Sequence, residues 1–268
     1  MDPNFVIFLL CIMLGSVVGV MAGLLGIGGG LLIVPAMGFL LHYFLQIEIE
    51  IGMPIAIATS LSTVIMTGLS STRSHYKMGN LDKRIVMFCG FGIAIGAILG
   101  AQFASYISGI ILQRIFAVLV IVIALQMIFG SRKSSQNSIG KLGLGGIGVG
   151  TGFISALMGI GGGALLVPAL LWFQINIRKA IGCAAFSGVI IAIFGTATFI
   201  FTGYNNPNLP EYSLGYVYIP ATLGIIVTSV LTAPLGVKLG QTLDTVKLKK
   251  VFAAFLVLVS IRMIIGIE

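Results

Sequence analysis

Six stretches of this chain are apolar for about the length that a lipid bilayer demands, and most of its charge lies between them. They are 53–71, 85–105, 112–130, 180–203, 215–237 and 248–266. A helix rises 1.5 Å per residue, so about 20 apolar residues cross the ~30 Å hydrocarbon core. Lipid offers no partners to backbone N–H and C=O groups, so runs of this length cross as helices. Only 8% of the 268 residues are charged and 58% are hydrophobic, whereas a soluble domain carries about 25% charged residues. The expected fold class is an all-α membrane protein, a single integral membrane domain over residues 1–268.

Two longer apolar stretches, 5–46 and 142–174, are interrupted by glycine, and they reveal a repeat. GLLGIGGGLLIVPAM at 23–37 returns as ALMGIGGGALLVPAL at 156–170, identical at ten of fifteen positions and 133 residues later. LQRIFAVLVIVIALQMIFG at 112–130 aligns with LKKVFAAFLVLVSIRMIIG at 248–266. The chain thus divides into repeat one (5–130), a basic linker (131–141) and repeat two (142–268), each a broken, re-entrant-like helical hairpin followed by three transmembrane helices.

Charge sets the orientation. If both broken stretches return to their own side, thirteen of the fifteen Lys and Arg residues share one side, and only Arg114 and Arg262 lie opposite. If each crosses once, the split is eight against seven. Basic loops stay cytoplasmic, which selects the first arrangement. The halves are then inverted repeats, with both termini outside and loops 72–84, 131–141 and 238–250 inside. Met1-Asp2-Pro3-Asn4 lacks a basic region before its apolar run, so the first helix is expected to be retained and not cleaved.

The glycine interruptions carry the functional expectation. GIGGG at 26–30 and at 159–163 are followed by Pro35 and Pro168. Consecutive glycines unwind a helix, at about 1 kcal/mol each relative to alanine, and proline removes a backbone donor. Irregular backbone at membrane depth persists only where protein or a wet cavity surrounds it. Paired broken helices at matching positions point to a transporter's binding site, and helix N-termini suit anions. Gly28, Gly29, Gly30, Gly161, Gly162 and Gly163 are therefore candidate anion-binding positions, tight packing being the alternative. Thr59, Ser60 and Ser187 are candidate hydroxyl contacts, although such groups also bond their own helix backbone. Arg262 is a candidate cationic contact, although it sits where it can snorkel to the surface. Gly15, Gly19 and Gly23, like Gly92, Gly96 and Gly100, have the spacing of helix-packing stripes.

Several classes are excluded. The net charge of +8 comes from residues between spans and forms no soluble basic face, so no nucleic-acid partner is expected. Cys11, Cys89 and Cys183 lack metal-ligand spacing, and all three are expected as buried thiols. Gly143-x-Gly145-xx-Gly148 has the dinucleotide pattern but no preceding strand. No catalytic residue, metal or cofactor is expected. All seven acids lie in loops or near chain ends, which leaves no intramembrane carboxylate to relay protons. His42 and His75 fall near span ends and receive no role.

GIGGGLLIVPA with its second copy, Ala58-Thr59-Ser60, Gly79-Asn80-Leu81-Asp82 and Gly215-Tyr216-Val217 together resemble the TauE/SafE sulfite exporter family. The resemblance implies an inner-membrane permease for small sulfur-containing anions such as sulfite or sulfonates. A secondary exporter is the leading expectation, since anion export from a negative-inside cell gains ~2.3 kcal/mol per charge per 100 mV. An anion channel or importer is the alternative, and a non-transport membrane assembly protein the third. The expected partners are a small anionic substrate and the lipid bilayer.

Overall fold

The computed structural model describes residues 3–26, 28–129, 140–173 and 175–242, with 253, 254, 256, 257, 260, 261 and 263. Nine helices are described: α1 (Pro3–Leu25), α2 (Gly30–Leu45), α3 (Ile49–Lys77), α4 (Lys83–Tyr106), α5 (Gly109–Phe129), α6 (Lys141–Leu157), α7 (Gly163–Trp172), α8 (Ile177–Gly203) and α9 (Ile219–Thr242). Six of them, α1, α3, α4, α5, α8 and α9, are long and apolar enough to cross a membrane. The protein is an all-α membrane protein.

Both broken stretches divide where their glycines stand, α1 from α2 and α6 from α7. The arms are unequal, because α1 has 23 residues whereas α7 has 10. Expected run 248–266 lies largely outside the described residues; those described within it are helical. Run 215–237 starts later than expected. Gly215-Tyr216-Val217 belongs to a small hairpin in which β1 (Ser213–Leu214) pairs antiparallel with β2 (Val217–Tyr218), and α9 begins only after it. Gly215 adopts φ 54°, which favours glycine, and fits against the Ile200 backbone.

Helix α3 runs well past the expected 53–71, to Lys77, since neither glycine nor proline occurs between Gly68 and Gly79. Its end is a Schellman cap: Gly79 at φ 70° donates its N–H to the Tyr76 carbonyl, and the Asn80 N–H bonds the His75 carbonyl. Side-chain caps start the next helices at this end, Asp82 accepting from the Arg84 N–H and Asn176 from the Arg178 N–H.

Packing follows the glycine stripes. A Cβ at Gly15, Gly19 or Gly23 would strike α9, and one at Gly92, Gly96 or Gly100 would strike the α6 backbone. Lipid gives no hydrophobic drive between helices, so close backbone approach supplies the attraction. The most extensive contacts are α1 with α9 and α4 with α6, followed by α3 with α8. Matched by the repeat, α1 corresponds to α6 and α4 to α9, so these first two pairs are the same contact made twice. Each joins one half to the other. Helix α3 is the most buried span and α1 and α9 are among the least, which puts α3 at the centre with α8 beside it.

Candidate functional site

The two glycine turns meet. Gly26, Gly28 and Gly29 have φ of 68°, 75° and 80°, a region costly for any residue with a Cβ. A Cβ on Gly28 would lie 2.9 Å from the Gly161 Cα and 3.1 Å from the Val64 side chain. One on Gly30 would strike the Gly159 carbonyl. The second turn is built differently: Gly159 has φ 68°, while Gly162 sits in the ordinary right-handed region at φ −55°. A Cβ on Gly162 would come within 3.2 Å of the Ser187 Cβ, and one on Gly188 within 3.2 Å of the Gly162 nitrogen. Val64 is near the middle of α3 and Gly188 near the middle of α8, so both turns rest against the midpoints of the two central helices.

Glycine is needed here for two separate reasons. Positive φ demands it at Gly28 and Gly29; backbone proximity demands it at Gly28 and Gly30. Each second arm starts at its turn, α2 at Gly30 and α7 at Gly163. The first N–H groups of any helix have no intrahelical partner and carry partial positive charge. Gly28, Gly29 and Gly30 are thus gathered with Gly161, Gly162 and Gly163 in one place.

The candidate hydroxyls differ in what they do. Ser60 is fully buried and donates to the Gly159 carbonyl at 2.7 Å, tying one half to the turn of the other. Thr59 accepts from the Tyr218 N–H at 3.0 Å, which anchors the hairpin to α3. Ser187, the repeat counterpart of Ser60, is 1% exposed and its Oγ has no partner. Arg262 lies outside the described residues. Two polar contacts escaped the sequence reading: Ser62 with Thr222 at 2.8 Å and Thr67 with Ser229 at 2.6 Å, both joining α3 to α9. Thr222 and Ser229 are seven residues apart on one face of α9, the signal that could have found them.

A small cavity opens beside the first turn, lined by Gly26, Gly28, Val64, Gly68, Ser71 and Gly188 among others. It has room for about one water molecule, less than an oxyanion needs. The turns are therefore closed on one another. The cavity has a local cause. By the repeat, Gly188 stands where the first half has Leu61, and Gly195 where it has Gly68. On that second side Leu61 fills the space, its Cδ1 2.7 Å from where a Gly195 Cβ would be. On the first side Val189 approaches instead, its Cγ2 2.9 Å from where a Gly68 Cβ would be, and the space beside Gly188 stays partly open.

His75 stands near a span end as expected, in the last turn of α3, and is 5% exposed there. Cys11, Cys89 and Cys183 are free and buried.

Long apolar helices around two paired, glycine-broken helices define a polytopic membrane protein of the kind that carries solutes. The family model described as sulfite exporter TauE/SafE matches residues 11–263. A probable membrane transporter protein of Haemophilus influenzae is 39% identical over 261 residues, covering 97% of this chain and 98% of that one. Another, from Methanocaldococcus jannaschii, is 27% identical over 261 residues, covering 96% and 95%. A third, from Bacillus subtilis, is 27% identical over 221 residues, covering 74% and 80%. No solved structure matches. The chain belongs to the TauE/SafE sulfite exporter family and is a membrane transporter, not an enzyme.

Proposed function

We propose that this transporter is a secondary exporter of small sulfur-containing anions, of the class of sulfite and the sulfonates, and that it binds them between the two glycine turns. The carrying observation is the meeting of the turns, backbone against backbone, at the midpoints of α3 and α8. Each turn ends in the N-terminus of a helix, where unpaired N–H groups favour negative charge. A closed centre with space on one side supports a carrier and not an open pore. Substrate reaches its site when the turns separate.

Two further readings support the mechanism. The helix contacts repeat when the halves are exchanged, and the basic residues gather on one side when both broken stretches return. Together they favour inverted repeats, with repeat one at 5–130, repeat two at 142–268 and both termini outside the inner membrane. Such a pair can alternate by rocking one half against the other around a fixed site.

Gly162 is the position at which to test this, because its right-handed φ accepts a side chain and only the space does not. Gly162→Val should abolish methanesulfonate efflux from proteoliposomes while helical content by circular dichroism stays unchanged. Transport at the wild-type rate would refute binding at the turns.

A further inference from the structure

We propose that the hairpin 213–218 and the loop 79–82 are paired straps that shut the glycine turns from opposite ends of the bundle, and that the protein opens towards one end by lifting one strap while the other holds. The proposal rests on the carrier reading and goes beyond it, from where a solute binds to what bars its way.

Aligning the starts of α4 and α9, at Lys83 and Ile219, sets Gly79 against Gly215, Asn80 against Tyr216 and Asp82 against Tyr218. The helix contacts keep the same register, since Gly148 meets the Cys89 carbonyl where its counterpart Gly15 meets that of Ile225. Both strap glycines are left-handed, at φ 70° and 54°. Asn80 and Tyr216 donate their backbone N–H groups within their own repeat, to the carbonyls of His75 on α3 and Phe199 on α8. Asp82 and Tyr218 donate theirs to the other repeat, to Cys183 Sγ on α8 at 3.3 Å and to Thr59 Oγ1 on α3 at 3.0 Å. Each strap is thus a backbone bridge between the halves.

Each bridge lands beside a glycine turn. Thr59 precedes Ser60, which holds the Gly159 carbonyl. Cys183 lies about one turn before Ser187, against which a Cβ on Gly162 would press at 3.2 Å. Helices α3 and α8 run antiparallel, Gly68 facing Val189 and Gly195 facing Leu61. The landing points, each in the first half of its helix, therefore lie towards opposite ends. One half cannot rock against the other without lifting one of them.

The straps differ in grip. Val217 and Tyr218 are buried, and the Tyr218 hydroxyl also donates to Asn4 Oδ1 at the start of α1. Asn80, Leu81 and Asp82 are only half-buried, and their bridge ends on sulfur, a weak acceptor. The small cavity reaches Ser71 and Ala185, on this weaker side. The hairpin is the tighter strap, and Tyr218 is its latch.

Alkylation of the purified full-length protein by N-ethylmaleimide, without substrate and counted by mass spectrometry, tests the straps. With Cys11→Ala and Cys89→Ala in place, native Cys183 reports on loop 79–82. Thr59→Cys, combined with Cys183→Ala, reports on the hairpin, and sulfur there can accept the Tyr218 N–H as Cys183 accepts that of Asp82. Tyr218→Phe should speed labelling at position 59 about tenfold, the worth of one buried hydrogen bond, and leave Cys183 no faster. Where one chain carries both thiols, the first adduct wedges its strap open. The second thiol should then react at least about tenfold more slowly than it does alone. Independent labelling of the two, or equal acceleration of both by Tyr218→Phe, would make the straps ordinary packing and overturn the proposal. Native protein that labels at neither position, although both react once it is denatured, would overturn it equally. None of these results depends on the anion carried: normal methanesulfonate efflux by Gly162→Val would remove binding at the turns and leave the straps, and independent labelling would do the reverse.

Discussion

Ser60 and Ser187 are equivalent in the repeat and opposite in their chemistry, so one substitution made at both separates structure from binding. Ser60→Ala deletes the 2.7 Å hydrogen bond to the Gly159 carbonyl and strands a buried acceptor, a loss of about 1–3 kcal/mol. The melting midpoint of the ligand-free protein should fall by about 2–4 °C for each kcal/mol. Ser187→Ala deletes a hydroxyl that is buried without a partner, which itself costs about 1–3 kcal/mol to bury. That variant should melt no lower than the wild type. With methanesulfonate the order reverses. A ligand at a hundred times its Kd stabilises by about 2.7 kcal/mol. If Ser187 donates to the anion, its loss weakens binding about tenfold, and the same ligand concentration then stabilises by only about 1.4 kcal/mol. Ser60→Ala should keep most of the ligand-induced shift. Melting curves of the purified protein across a methanesulfonate titration measure all four quantities. Destabilisation of Ser187→Ala by as much as Ser60→Ala, with the full ligand shift retained, would refute the assignment of the open hydroxyl to substrate.

Topology is tested by cysteine labelling on intact cells. Pro207→Cys should react with a membrane-impermeant maleimide, and Lys77→Cys only after permeabilisation; the reverse pattern would invert the molecule. The glycine stripes give a stability contrast. Gly96→Val should cost about 1–3 kcal/mol by overpacking against the Val149 and Phe153 backbone. Gly150→Ala on the facing helix, where a Cβ meets nothing within 4 Å, should be neutral or gain up to about 1 kcal/mol. Urea or thermal unfolding in detergent reads the difference, and equal stability of the two variants would refute packing by the stripe.

Hydrophobic run lengths predicted the crossing helices because membrane thickness leaves the sequence little choice. Helix α3 shows where that signal ends. Its last turns, from Thr72 to Lys77, are polar and lie beyond any apolar window, and only the Schellman cap at Gly79 marks the true boundary. The hairpin at 213–218 was missed for the opposite reason: Tyr216, Val217 and Tyr218 are apolar enough to read as the start of α9. The glycine turns were visible as a repeated word, but their inequality was not. Gly29 and Gly162 are the same letter in the same motif, and one is left-handed while the other is not. Nor does sequence separate Ser60 from Ser187. That distinction depends on whether the carbonyl of the other half lies within reach, which only the packing decides.

The crossed pairing of α1 with α9 and of α4 with α6 has a consequence for how the protein is made. Roughly 190 residues separate the end of α1 from the start of α9, or about 10–40 s of synthesis at ~5–20 residues per second. Throughout that interval the Gly15-Gly19-Gly23 face of α1 has none of its final neighbours and must wait in lipid or beside an insertion factor. Helix α4 waits less, since α6 follows soon after α5. Assembly is therefore ordered from the middle of the chain outwards, and the first helix to emerge is among the last to be enclosed. A nascent chain stalled before α9 would expose a bare glycine face, a mark by which membrane quality control can recognise an unfinished molecule.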